Sequence, residues 1–282
     1  MKVVRTIKEI REALAPCRPS KTVGLVPTMG YFHVGHLSLM AHARKECDLV
    51  VTSLFVNPTQ FGQGEDFESY PRDEKRDFKL ARDAGVDIIF TPGADEMYED
   101  DFGFYVQAPE ELTNRLCGAS RPGHFQGVAT VVTKLFNIIQ PQRAYFGQKD
   151  LQQLVVIKRM VKDLNQPVEV VGLPIIREAD GLALSSRNVY LSPDERHNAL
   201  ALYQTLRFGR ELLDKGLRNT EELKTRMKEF LKTQNSGIRL DYLEVLNVEN
   251  LSTPKTLAGS IALAGAIWLG KTRLIDNIIL EV

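Results

Sequence analysis

Over positions 1–175, short apolar runs alternate with longer stretches of helical periodicity. Residues 22–26 (Thr-Val-Gly-Leu-Val) form a compact apolar run closed by Pro27, which predicts a buried strand. Residues 49–56, 86–90, 143–146 and 168–173 predict strands for the same reason. Between them lie helix patterns. Thr6-Ile7-Lys8-Glu9 reads as a capping box and opens the chain's first predicted element, a helix that should stop near Pro16. A second helix starts at about Gly35, with Leu37, Met40 and Ala41 on one face. Residues 73–84 end at Gly85, and 151–164 form another helix. Residues 128–139 are a strongly apolar helix whose Val and Thr content lowers its intrinsic propensity. Strand and helix alternating at this spacing imply βαβ units, hence a Rossmann-like parallel sheet with helices on both faces. Ligands of such sheets bind at the carboxyl ends of the strands.

The pattern changes near residue 175. Ser192-Pro193-Asp194-Glu195 combines a cap, a first-position proline and a glutamate three residues on, and starts a helix. Helices over 194–215 and 220–234 precede strand-like runs at 241–248, 260–269 and 275–281. Two domains are expected: an α/β domain over 1–175 and a smaller C-terminal α+β domain over 176–282.

Bulk properties narrow the function. The 282 residues exceed one typical domain, and 43% hydrophobic with 26% charged residues is ordinary globular composition. Lys+Arg and Asp+Glu both number 36, so no overall basic field exists to hold nucleic acid or an anionic membrane. Cys17, Cys47 and Cys117 are odd in number and lack metal-ligand spacing, as a reducing compartment permits. With no signal-length apolar run at the start and no run of about 18 apolar residues anywhere, a cytoplasmic protein is expected.

The chemistry is carried by six segments. In Pro27-Thr28-Met29-Gly30-Tyr31-Phe32-His33-Val34-Gly35-His36, a strand gives way to a helix. Helix starts attract phosphate through unpaired amides and the helix dipole. Two histidines three apart can both face such a ligand. A metal pair or two surface histidines is the plainer alternative. Phe55-Val56-Asn57-Pro58-Thr59-Gln60-Phe61 ends the next strand with neutral amides suited to orienting a carboxylate and a hydroxyl. For Asn57 a simple turn role is equally open. The polar stretch 62–73 reads as either a mobile cover or a surface loop. Arg121-Pro122-Gly123-His124-Phe125-Gln126-Gly127 is either a donor-rich ligand loop or a structural turn. Gly147-Gln148-Lys149-Asp150 puts a lysine on the ligand edge, followed by Gln152 and Gln153. Leu184-Ser185-Ser186-Arg187-Asn188 offers hydroxyls and a guanidinium to phosphate. Glu65 and Asp66 are candidate metal partners, but no metal-ligand set can be assigned.

In this order and spacing, these segments resemble the pantothenate synthetase (pantoate–β-alanine ligase, AMP-forming) family of the His-x-Gly-His nucleotidyltransferases. The resemblance runs to Trp268-Leu269-Gly270-Lys271-Thr272-Arg273-Leu274-Ile275-Asp276-Asn277. Phe32 stands where leucine is common and Gln148 where glutamate is often found. The resemblance implies a Rossmann-like ATP- and pantoate-binding domain, a C-terminal lid domain, a homodimer and a Mg²⁺-dependent reaction. Pantoate and ATP would form pantoyl-adenylate and pyrophosphate. Attack by β-alanine would then give pantothenate, on the route to coenzyme A, and AMP. It assigns His36, His33, Lys149 and Arg187 to catalysis. It places Met29, Gly30, Tyr31, Phe32, His33, Val34, Gly35 and His36 around ATP. Gly147, Gln148, Lys149, Asp150, Ile176, Leu184, Ser185, Ser186 and Arg187 join them. Gln60 and Gln153 would hold pantoate, with Gln60 also near β-alanine. Two other readings stand beside this one: a nucleotidyltransferase that stops at a dinucleotide-like product, and a silent ATP- or RNA-binding regulator.

Overall fold

The computed structural model describes residues 1–234 and 237–282. These residues fall into two compact units, Met1–Gln148 with Val156–Pro174, and Lys149–Val155 with Ile175–Val282.

In the first unit the strands are β1 (Lys2–Val4), β2 (Val23–Thr28), β3 (Leu49–Leu54), β4 (Ile88–Phe90), β5 (Arg143–Gly147) and β6 (Glu169–Leu173). Among the described residues these six form one parallel sheet in the order β1-β4-β3-β2-β5-β6. The helices of this half of the chain are α1 (Ile7–Leu14), α2 (Val34–Glu46), α3 (Glu74–Asp83), the short α4 (Ala94–Met97), α5 (Glu110–Thr113) and α6 (Leu116–Ser120), α7 (His124–Ile139) and α8 (Leu151–Asp163). The division between the units falls inside α8.

The Thr6 capping box forms as its sequence requires: Glu9 N–H donates to Thr6 Oγ1 at 3.2 Å and Thr6 N–H to Glu9 Oε2 at 3.0 Å. β1 was not expected, because three residues carry no readable period. It exists through parallel pairing, with Lys2 opposite Ile88 and Val4 opposite Phe90. β2 runs on through Pro27 to Thr28. Its ladder with β5 covers only Gly24 and Leu25, so that side is complete before the missing proline N–H would matter. α7 begins four residues before the expected 128 and takes His124 to Gly127 into its first turn. The core between α2, α3 and the sheet contains Val26, Phe32, Met40, Ala43, Val50, Ala81 and Ile89.

The chain order sets the location of a site. From β2 the connection α2 leads to β3 on one side, and from β5 the connection α8 leads to β6 on the other. β2 and β5 are adjacent, so their carboxyl ends flank the topological switch point, where open α/β sheets bind ligands.

The second unit carries α9 (Pro193–Asn198), α10 (Leu200–Asp214) and α11 (Thr220–Gln234), then β7 (Ile238–Asn247), β8 (Ser260–Leu269) and β9 (Thr272–Glu281). The helix expected over 194–215 divides at Ala199. β7, β8 and β9 form an antiparallel sheet with β8 central. Both faces of β8 are buried along most of its length, which explains its near-continuous apolar run Ile-Ala-Leu-Ala-Gly-Ala-Ile-Trp-Leu. α10 and α11 supply Leu206, Leu213, Leu223 and Met227 to a core closed by Leu243, Val245 and Leu263. β7 and β9 each start three residues before their expected positions, because cross-strand pairing extends them past their apolar stretches.

Leu263 is fully buried in that core. Leu263→Ala should therefore cost about 2–5 kcal/mol of stability in the second unit. The single tryptophan, Trp268 in β8, reports that unit's unfolding in urea. An unchanged fluorescence midpoint would contradict this packing.

Candidate active site

Immediately after β2 the backbone turns sharply, with Gly30 at φ 88° and Tyr31 at φ 51°. The left-handed region is unfavourable for a tyrosine, so something must hold it. Asp77 on α3 does so. Its carboxylate accepts the amides of Tyr31 at 2.6 Å and Phe32 at 2.7 Å, and it is only 1% exposed. Burial pushes the Asp77 carboxyl above its usual range, against the opposing pull of these two hydrogen bonds. The Phe32 ring then drops into the core, fully buried.

α2 begins at Val34 with His33 as its cap. Gly35 N–H donates to His33 Nδ1 at 3.1 Å, and His33 N–H donates to His36 Nδ1 at 3.3 Å. Two imidazoles thus do the work that Ser and Glu do in a common capping box. Because each Nδ1 accepts, each neutral ring carries its proton on Nε2, which is a donor. The rings lie 4.1 Å apart, centroid to centroid. A Cβ on Gly35 would sit 2.8 Å from His33 Cε1, so the spacing of His-x-Gly-His needs a glycine at that point. This alters the expectation from sequence in one respect. The amides of Tyr31, Phe32, His33 and Gly35 all have protein partners, so the donors of this segment include imidazole Nε2 atoms in addition to backbone amides.

After β3, Pro58–Gln60 forms a 3₁₀ turn capped by Asn57. Asn57 is 1% exposed and central. Its Oδ1 accepts from Tyr98 Oη at 2.7 Å and Thr59 Oγ1 at 3.0 Å; its Nδ2 donates to Gln60 Oε1 and to the Gly127 carbonyl, both at 3.2 Å. Burial pushes the Tyr98 phenol up, so it keeps the proton it donates. With Gln60 Oε1 accepting from Asn57, its Nε2 donates to Met29 Sδ at 3.1 Å. The Gln60 backbone is fixed from α7: the His124 ring binds the Gln60 carbonyl at 2.8 Å through Nδ1. A Cβ on Gly127 would lie 2.3 Å from the Thr59 carbonyl oxygen. For Asn57 the turn reading therefore holds: it builds the turn and also sets the Gln60 amide. The donor-rich segment 121–127 acts on the same turn.

The stretch 62–73 packs against Phe61 through Phe67 and Tyr70. It is tied down by Glu65, which takes two hydrogen bonds from Arg121 at 2.7 and 2.6 Å. Burial raises the Glu65 carboxyl, but Arg121 outweighs it and holds the group below the usual carboxylate range. Both Glu65 oxygens are thereby engaged by a guanidinium. Among the described residues, no three His, Cys, Asp or Glu side chains group as metal ligands.

β5 ends at Gly147, and a 3₁₀ turn, Gln148–Asp150, leads into α8 with Gln153 in its first turn. In the second unit, the turn at Asp180-Gly181 folds the chain back so that Leu184 N–H donates to the Ile176 carbonyl at 3.0 Å. Two residues eight positions apart, both assigned to one nucleotide, become neighbours. Ser185 caps the 3₁₀ helix Ser186–Tyr190 by accepting from the Arg187 amide at 3.3 Å. Lys149 and Ser185 line one pocket together with Asp276.

Several residues at these positions were not singled out from sequence: Asp77, Tyr98 and Arg177. Only Asp77 left a trace, as a carboxylate on the same helical face as the buried Ala81.

A parallel sheet whose switch point opens beside a histidine-capped helix defines an α/β enzyme of the His-x-Gly-His nucleotidyltransferase class. Comparison with known proteins makes this specific. The family model for pantoate-beta-alanine ligase matches residues 2–279. The pantothenate synthetase of Moorella thermoacetica is 53% identical over 100% of this chain and 99% of its own. That of Heliobacterium modesticaldum is 54% identical over 99% and 100%. The crystal structure of pantothenate synthetase from Thermus thermophilus superposes with a TM-score of 0.94 at 50% identity, covering 99% of each chain. The Francisella tularensis pantoate-beta-alanine ligase, complexed with β,γ ATP and β-alanine, gives 0.81 at 35% identity, over 99% of this chain and 97% of that one. The chain belongs to the pantoate–β-alanine ligase family.

Asn57 makes the sharpest structural test. Asn57→Ala strands several buried polar partners and should cost about 1–3 kcal/mol. Asn57→Asp keeps the acceptor for Tyr98 but loses the donor to Gln60 and Gly127, and should also destabilise. A wild-type unfolding midpoint for Asn57→Asp would show that the donor half contributes nothing.

Proposed function

We propose that this ligase makes pantothenate by ATP-dependent condensation of pantoate with β-alanine through a pantoyl-adenylate, and so serves coenzyme A biosynthesis. A pantoate carboxylate oxygen attacks the α-phosphorus of ATP and pyrophosphate leaves. The β-alanine nitrogen then attacks the acyl carbon, AMP leaves, and the nitrogen loses a proton. The observation that carries this reading is the double Nδ1 engagement at the start of α2. It turns His33 and His36 into oriented Nε2 donors, suited to the charge that builds on phosphate oxygens during adenylation. In the same reading Met29 to His36, Gly147 to Asp150, Ile176 and Leu184 to Arg187 receive ATP, with Lys149 and Arg187 neutralising phosphate charge. Neither step needs a protein nucleophile.

Gln60 is assigned to pantoate and to β-alanine, and Gln153 to pantoate. The geometry at Gln60 supports this, because its amide orientation is fixed by Asn57, with Nε2 on the side of Met29 at the end of β2. A neutral amide of fixed orientation suits a carboxylate or hydroxyl better than it suits a polyphosphate. The packed stretch 62–73 is suited to keep water from a hydrolysable acyl-adenylate.

The carboxylates in the nearby segments do not form a metal cage, since Glu65 is held by Arg121 and Asp77 by backbone amides. Mg²⁺ therefore enters this reading as part of the ATP substrate, where it neutralises phosphate charge while keeping several waters. Among the described residues, no helix is long and apolar enough to cross a membrane. A cytoplasmic homodimer completes the proposal, with sedimentation as its check.

Two experiments test the chemistry. Pantoate labelled with ¹⁸O in its carboxylate should pass one label to AMP; label in inorganic phosphate instead would establish an acyl-phosphate route and overturn the adenylate. His36→Ala should slow single-turnover adenylation by roughly 10²–10³-fold, the scale for one preorganised donor. A wild-type rate in that variant would remove His36 from the reaction.

A further inference from the structure

The sequence ends its run of recognisable motifs with Asp276-Asn277, and nothing in the reaction as described uses them. Both are buried on β9, Asp276 5% and Asn277 2% exposed. Adjacent strand residues point to opposite faces, so two neighbouring buried polar residues require separate partners. Asn277 finds one in the active-site segment: its Nδ2 donates to the Lys149 carbonyl at 3.1 Å. Asp276 accepts a two-pronged ion pair from Arg177, at 2.6 and 2.9 Å, and also accepts the Asn277 amide at 2.7 Å. It lines the same pocket as Lys149 and Ser185. Arg177 donates onward to the carbonyls of Asn277 at 3.2 Å and Gly181 at 3.1 Å, and lies 3.9 Å over the Tyr203 ring. One network therefore joins β9, the backbone of Lys149 and the turn that carries Ile176 and Leu184.

A buried ion pair is a poor device for stability, because apolar packing of the same volume does as well or better. It is a good device for fixing one arrangement. We infer that Asp276 and Asn277 are positioning residues for Lys149: Asn277 clamps its backbone, and Asp276 orients its ammonium. Asp276, with both oxygens held by Arg177, lines the same pocket as the lysine. The direction of the lysine is thereby set from the second unit's own sheet. This rests on the proposed role of Lys149 in adenylation.

The test is a double-mutant cycle on the full chain, read by pantoate-dependent exchange of labelled pyrophosphate into ATP. Lys149→Ala should slow exchange. Asn277→Ala alone should slow it roughly three- to tenfold, the range for one buried hydrogen bond, with the KM for β-alanine in the complete reaction unchanged. In the Lys149→Ala background the same substitution should cost almost nothing further, because the group it positions is gone. An equal fractional loss in both backgrounds would make Asn277 merely structural and overturn the inference. So would full activity of Asn277→Ala. Should Lys149→Ala itself leave exchange untouched, the assignment of Lys149 to phosphate fails first and takes this inference with it. Trp268 fluorescence checks folding of each variant. Where the alanine form does not fold, Asn277→Asp, which keeps the volume and lacks the donor, enters the cycle with the same expectations.

Discussion

An α-helix begins with amide groups that no residue of its own helix can satisfy. How this chain meets that constraint at α2 decides the character of the site. Two imidazoles accept the amides of His33 and Gly35. Satisfying the backbone fixes the tautomer and leaves the proton of each neutral ring on Nε2. The sharp turn that delivers the chain to this point is held in turn by Asp77, whose carboxylate is the fixed point for Tyr31 and Phe32. The helix dipole adds to the effect by favouring negative charge at the same end.

The second strand end follows a different logic. Around Asn57 the groups are neutral, and order comes from satisfying both ends of one side-chain amide. A buried amide with donors and acceptors both engaged has one orientation only, and it passes that orientation to Gln60. α7 can approach closely enough to hold the same turn because Gly127 has no side chain. The two strand ends thus differ in kind, with imidazoles capping a helix after β2 and an oriented neutral amide after β3; in the proposed reading the first serves phosphate.

The second unit adds a buried charge pair where a hydrophobic contact would have served stability. Arg177 and Asp276 link the Ile176–Leu184 turn to β9, and Asn277 carries the link to Lys149. Such a network contributes little net energy after desolvation. Its effect is to give the lysine and the serine-rich segment one common framework.

Much of this was legible in the chain itself. Alternation of apolar runs and helical periods determined a parallel α/β sheet followed by an α+β unit, because burial on both faces of a strand and on one face of a helix leaves a local imprint. The histidine-glycine spacing, Gln60, Lys149 and the Ser185-Ser186-Arg187 run were also visible, since each lies where a strand or turn ends. What the sequence could not determine was set by long-range partners. β1 exists only because β4 offers it an edge, and helix ends such as the start of α7 depend on neighbours across the fold. The tautomers of His33 and His36 are the local exception, set by the cap geometry at the start of α2. The direction of the Gln60 amide depends on Tyr98 and Gly127. Glu65, which could have been a metal partner by composition, faces Arg121 instead, 56 positions away. Local chemistry selects which groups are present; only tertiary packing decides which lone pair meets which proton.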